Sequence, residues 1–78
     1  MKKKPDRMNS DLQIERLGEK IRSERKMRKI TQNELAQLSK LGLNFISQIE
    51  NGKNTAHIGK VFQVLNVLGF EIDVKHRK

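Results

Sequence analysis

Residues 31–53, TQNELAQLSKLGLNFISQIENGK, restrict the fold more than any other stretch of the chain. Thr31 and Glu34 have the spacing of a capping box, in which the hydroxyl accepts from the N–H three residues on and the carboxylate reaches back. A short helix follows, with Leu35, Ala36 and Leu38 as its apolar residues. Lys40-Leu41-Gly42 interrupts it. A second short helix is expected from about Leu43 to Asn51, and Gly52 is its natural stop. Phe45, Ile46 and Ile49 fall on one side of it, and Asn44, Ser47, Gln48 and Asn51 on the other.

Two short helices joined by a tight turn make a helix-turn-helix, whose second helix can lie in a DNA major groove. The outward row is neutral and polar. Amides of Asn and Gln both donate and accept, which suits base edges. Leu43, Asn44, Ser47 and Gln48 are the candidate base readers: Leu43 for a thymine methyl, Asn44 or Gln48 for adenine. Taken alone, the same row is equally an ordinary solvated face. Phe45 reads as packing, since apolar residues at helical spacing are usually core.

Charge points the same way. The chain has 78 residues with 17 Lys and Arg against 9 acids, a net charge of +8 and a pI near 10.2. That balance favours a polyanionic partner, although charge alone also fits a merely soluble basic surface. So short a chain forms one domain with a thin core and gains stability by dimerising. With no Cys, disulfides and thiolate metal sites are excluded. No apolar run approaches the ~18 residues of a membrane span. Lys2-Lys3-Lys4 is not followed by the apolar stretch of a signal peptide. The cytoplasm is the default location.

Met1 to Asn9 is basic, holds the only proline and reads as a disordered arm, more simply a solvated tail than a minor-groove arm. The domain proper is residues 10–69. Ser10 and Gln13 make a second capping box that opens the first helix. Ile14, Leu17, Ile21 and Met27 are assigned to its inner face, with a helix end near Arg28 or Lys29. Residues 55–69 form the last helix, with Ile58, Val61, Phe62, Leu65 and Leu68 as its stripe and Val64 and Val67 widening it. Thr55 or His57 is the candidate cap. Residues 70–78 hold a tail in which Phe70, Ile72 and Val74 alternate with polar residues, the period of a half-buried strand. A lone strand has no partner in its own chain, so these three residues are expected to pair with a second copy across a two-fold axis.

The motif resembles the XRE/Cro-type helix-turn-helix family. The resemblance rests on Thr31-Gln32, Glu34-Leu35-Ala36, the run Ile46 to Lys53, and upstream Leu17-Gly18, Ile21-Arg22 and Arg25. It implies an all-α, lambda-repressor-like domain of four to five helices, here with a short C-terminal β-strand pairing across a homodimer. It also implies that Arg25 pairs with Glu50, tying the first helix to the recognition helix. Gln32 is expected at a phosphate, where the helix dipole and free N–H groups favour an anion. Lys40, Asn51, Lys53 and Asn54 complete the expected phosphate contacts, which fix register without reading sequence. Where the family usually has Gly, in two turns, this chain has Lys29 and Lys40. Gly42 stands where Ser or Thr often caps the recognition helix.

The Leu43-Asn44-Phe45 start and the tail after Gly69 are similar to HipB-like antitoxins. That resemblance implies an autoregulating repressor that also binds a HipA-like kinase toxin. The reading is thus a homodimeric repressor on an inverted repeat of double-stranded DNA. A stand-alone XRE-type regulator is the alternative, followed by a protein-interaction module that kept only the fold. Nonspecific coating of nucleic acid would not need the motif. An enzyme is not expected: two His, no Cys and no Gly-rich phosphate loop leave no catalytic, cofactor or metal site to assign.

Overall fold

A computed structural model describes residues 9–53 and 57–76. Within them the chain forms four helices, α1 (Asn9–Met27), α2 (Gln32–Ser39), α3 (Leu43–Glu50) and α4 (Ile58–Val67). The expectations for residues 1–8, for Asn54 and Thr55, and for Arg77-Lys78 lie outside the described residues. No helix among the described residues is long and apolar enough to cross a membrane. The architecture is the all-α, lambda-repressor-like arrangement, with α1 and α2 packed on α3, and α4 packed on α2.

The core is small and shared by all four helices. Ile21, Leu35, Ala36, Ile46, Ile49, Val61, Val64, Leu65 and Leu68 are buried. Leu17, Ile30, Leu41, Phe45, Val67 and Phe70 close it from the edges. Three apolar residues assigned inward face solvent instead: Met27 is 73% exposed, and Ile58 and Phe62 are also exposed. In α1 the inner row runs through Leu17, Gly18, Ile21 and Arg25. Met27, six residues beyond Ile21, lies roughly 240° around the helix at 3.6 residues per turn. Leu38 is likewise on the outer side of α2. On α4 the buried row is Val61, Val64, Leu65 and Leu68, so Val64 is core rather than a widening residue.

The helix starts differ in quality. Thr31 caps α2 as expected: its Oγ1 accepts from Glu34 N–H at 3.0 Å, and Glu34 accepts from Thr31 N–H at 2.7 Å. The Ser10 box does not start α1, because the helix already runs from Asn9 and Ser10 sits inside its first turn. His57 occupies the N-cap of α4 without a side-chain cap bond.

All four described helices end alike. Lys29, Lys40, Gly52 and Gly69 are the described residues with left-handed φ, at 60°, 60°, 79° and 80°. At each, that residue and the next bond back to the last turn: Lys29 to Lys26 and Ile30 to Arg25, Lys40 to Gln37 and Leu41 to Ala36, Gly52 to Ile49 and Lys53 to Gln48, Gly69 to Asn66 and Phe70 to Leu65. This is the Schellman cap, which satisfies carbonyls a helix end would leave bare. Ile30, Leu41 and Phe70, just past the left-handed residue, then fold back onto the core. The turns expected of Gly are therefore kept with Lys29 and Lys40 in place, at roughly 1 kcal/mol each.

The tail is expected to form a strand only against a second copy, and a single chain leaves that pairing open. Residues 70–76 form no strand in the single chain. A strand's N–H and C=O groups need a partner strand, and the described elements of this chain are all helices. Phe70 is half-buried against its own core, while Ile72 is exposed and Val74 is 91% exposed. Arg28 anchors the start of the tail, donating from Nη2 to Leu68 O at 2.8 Å and from Nε to Glu24 at 2.9 Å.

Gly18 sets how closely α1 approaches α3. A Cβ there would overlap the carbonyl oxygen of Ile49 and lie 3.1 Å from that of Glu50. Gly59, on α4, has open space where a Cβ would be. Opposite outcomes are expected from the same substitution, read by urea unfolding. Gly18→Ala should destabilise by about 1–3 kcal/mol through overpacking. Gly59→Ala should stabilise by roughly 0.5–1 kcal/mol by removing backbone freedom from the unfolded chain.

Candidate nucleic-acid interface

The orientation of α3 is set from beneath. Glu50, in its last turn, is 4% exposed, and Arg25 of α1 is 9% exposed. Arg25 grips the carboxylate with two bonds, Nε to Oε2 at 2.7 Å and Nη2 to Oε1 at 3.2 Å. Its Nη1 donates to Ile30 O at 2.9 Å. Gln32 of α2 donates from Nε2 to Glu50 Oε1 at 3.0 Å. A planar guanidinium facing a carboxylate fixes angle as well as distance. Three helices thus meet at one buried charge pair, and among the described residues no buried side-chain nitrogen or oxygen lacks a partner.

Above this pair, α3 divides cleanly. Ile46 and Ile49 are buried, and Phe45 packs against the core with Lys60 Nζ 6.0 Å from its ring centroid. Leu43 is 46% exposed, Asn44 and Gln48 are exposed, and Ser47 is half-buried. The four base-reader candidates therefore share the outer side of one two-turn helix. Gly42 is its N-cap and supplies no side-chain bond, so the first turn of α3 presents open N–H groups.

The expected phosphate residues lie around α3. Lys40 is exposed in the turn before it; Asn51, its C-cap, and Lys53 are exposed just after it. Asn54 lies outside the described residues. Gln32 differs from expectation in one respect: its side-chain amide is turned inward to Glu50. What α2 presents outward at that point is the backbone, since neither Gln32 N–H nor Asn33 N–H takes a described partner. The Gln32–Glu50 bond is not legible in the sequence, because the two residues are 18 apart and nothing in the spacing selects that carboxylate. Arg28's bond to Leu68 O, 40 residues away, is hidden for the same reason.

Known proteins carry the same motif and the same fold. The Helix-turn-helix family matches residues 21–75. An HTH-type transcriptional regulator of Sinorhizobium fredii (strain NBRC 101917 / NGR234), y4mF, itself described as uncharacterized, is 48% identical over 58 residues, covering 74% of this chain and 76% of that protein. The restriction-modification controller protein C.AhdI from Aeromonas hydrophila shares the fold, with a TM-score of 0.71 at 20% identity over 82% of this chain and 93% of that one.

The buried pair gives a sharp test. Arg25→Ala should destabilise by about 3–5 kcal/mol, because Glu50 is left charged and underpaired in the core. Replacing both, Arg25→Met with Glu50→Leu, should recover most of that loss. Thermal and urea unfolding of the two variants measures the difference. A double variant as unstable as Arg25→Ala would show that the carboxylate is not what makes the single change costly.

Proposed function

The chain belongs to the helix-turn-helix family, and we propose that it is a sequence-specific DNA-binding transcriptional repressor of the XRE type. One observation carries this reading: α3 buries Ile46 and Ile49, presents Leu43, Asn44 and Gln48 to solvent, and is held at its far end by the Arg25–Glu50 pair. The relative named as an HTH-type transcriptional regulator supports it. In the major groove, Asn44 and Gln48 can each bond adenine in bidentate fashion, and Leu43 can meet a thymine methyl. Ser47 sits lower on the same side and reads only a base that approaches closely. Lys40, Asn51, Lys53 and the N–H groups at the start of α2 then grip the backbone on either side. Asn54 extends that set.

The unit of binding is a homodimer in the cytoplasm. A two-fold axis places two α3 helices about 34 Å apart, in successive major grooves of an inverted repeat. Ile72 and Val74 stand exposed beyond the core, and Phe70 begins the same alternating tail. Pairing of residues 70–75 with a second copy would supply the strand partner that one chain lacks.

A finer reading makes the protein the antitoxin of a HipBA-like pair that binds a HipA-like kinase toxin and represses its own operon. It rests on the similarity of Leu43-Asn44-Phe45 and of the tail, and co-purification with the product of the neighbouring gene tests it. A neighbour that is neither a toxin nor bound would leave a stand-alone regulator.

The triple substitution Asn44→Ala, Ser47→Ala, Gln48→Ala tests the central reading. Folding and dimer formation should be unchanged, since none of the three is buried. Specific binding to the DNA upstream of the gene should weaken by at least 10-fold in gel shifts, at about 1–3 kcal/mol for each bidentate pair removed. Unchanged affinity for every DNA tested would instead favour a protein-interaction module built on this fold.

A further inference from the structure

Two of the four left-handed caps are lysines, and the two glycine caps have closer neighbours, most tightly at Gly52. At Gly52 a Cβ would lie 2.8 Å from Glu15 Cγ, and at Gly69 it would lie 3.3 Å from Arg28 Nη2. Lys29 and Lys40 are exposed. A side chain is tolerated at these two turns, but the backbone still disfavours it, and Gly would be the more stable choice at either. A cation at a helix C-terminus recovers a little through the helix dipole. That recovery is available to a lysine one turn earlier, without the strained backbone.

Lys29 has a second distinguishing feature, its surroundings. An open groove runs between the end of α1, the first turn of α2 and the first residue of α3. Lys26, Lys29, Thr31, Asn33 and Leu43 line it, with Arg25 and Gln32 at its floor. Among the described residues no acid lines it. Arg25 is committed to Glu50, whereas Lys26 and Lys29 have no described partner. The rim of the groove is Leu43, the first of the proposed base readers.

We propose that Lys29, with Lys26, binds a DNA backbone phosphate in this groove, at the edge of the base-reading helix. The step rests on the DNA-binding reading and extends it to residues outside the contacts expected there. The occupant is a phosphate diester because two exposed ammonium groups and the open N–H groups at the start of α2 suit an anion, because the Glu50 carboxylate beneath the floor is already neutralised by Arg25, and because the groove opens beside the residues proposed to face the bases. Lys29 thus exchanges some fold stability for affinity, and the exchange is uniform across sequences, since a phosphate carries no base identity.

The test compares the full-length protein with Lys29→Gly and with Lys26→Gln, which leaves the turn untouched. Each is bound to the DNA upstream of the gene and to random DNA across a salt series, and each is melted in parallel. Lys29→Gly should melt about 4 °C higher, as relief of roughly 1 kcal/mol would give in a domain of this size. It should bind both DNAs more weakly, by a similar factor. The slope of log K against log salt should fall by about 0.9 per lysine removed from each bound chain. Lys26→Gln should lower the slope likewise with no gain in melting temperature. Unchanged affinity and slope in both variants, with steep salt dependence in the parent, would overturn the phosphate site while leaving DNA binding intact. A parent that binds no DNA would overturn the reading beneath it as well.

Discussion

The Arg25–Glu50 pair is the interaction on which the rest of the structure depends. It joins α1 to α3 across 25 residues of sequence and lies almost wholly out of water. A buried ion pair is a weak source of net stability, because desolvation offsets most of the attraction. Its value here is directional. The guanidinium holds both carboxylate oxygens, Gln32 adds a third bond to one of them, and Ile30 O takes the remaining guanidinium edge. An apolar contact of equal area would permit α3 to rotate or slide. The pair allows neither without leaving a charge unpaired, so the exposed row of α3 inherits a fixed attitude from a site on its buried side.

The close approach of α1 to α3 is the second half of the same arrangement. Gly18 lets the α1 backbone rest on the carbonyls of Ile49 and Glu50, which brings Arg25, two turns later, within reach of the carboxylate. The caps complete it. Each described helix turns sharply at its C-terminus and sends the next residue back to the core or, at Lys53, outward beside α3. Short helices, tight caps and one oriented charge pair replace the large core that 78 residues cannot build.

Much of this is legible in the sequence because it is local. The Thr31–Glu34 box, the break at Lys40-Leu41-Gly42 and the two-sided pattern of α3 are all set within a few residues, where spacing alone decides the outcome. The Arg25–Glu50 pair is legible only through family resemblance, since no local rule picks Glu50 from among the acids. What stays hidden is either distant or rotational. Gln32 to Glu50 and Arg28 to Leu68 O join elements whose relative placement the sequence does not state. Met27, Leu38 and Ile58 are apolar yet exposed because their angular position, not their type, excludes them from a narrow core. Alternation suggests a C-terminal strand, but alternation describes a face and cannot supply the neighbour a strand needs.

The brevity of α2 and α3 has a consequence for lifetime in the cell. Each is eight residues long, about 12 Å at 1.5 Å per residue, and far below the length at which an isolated helix persists in water. Neither can open alone and remain a helix, and neither can survive the loss of the core they share. The exposed face of α3 therefore keeps its form only while the shared core is intact. The amides hydrogen-bonded within α2 and α3 should exchange with solvent near the rate set by opening of the whole domain, while the open N–H groups of their first turns exchange freely. For a regulator, abundance would then be governed by global stability, and any partner or DNA that binds the folded form would lengthen its life by mass action.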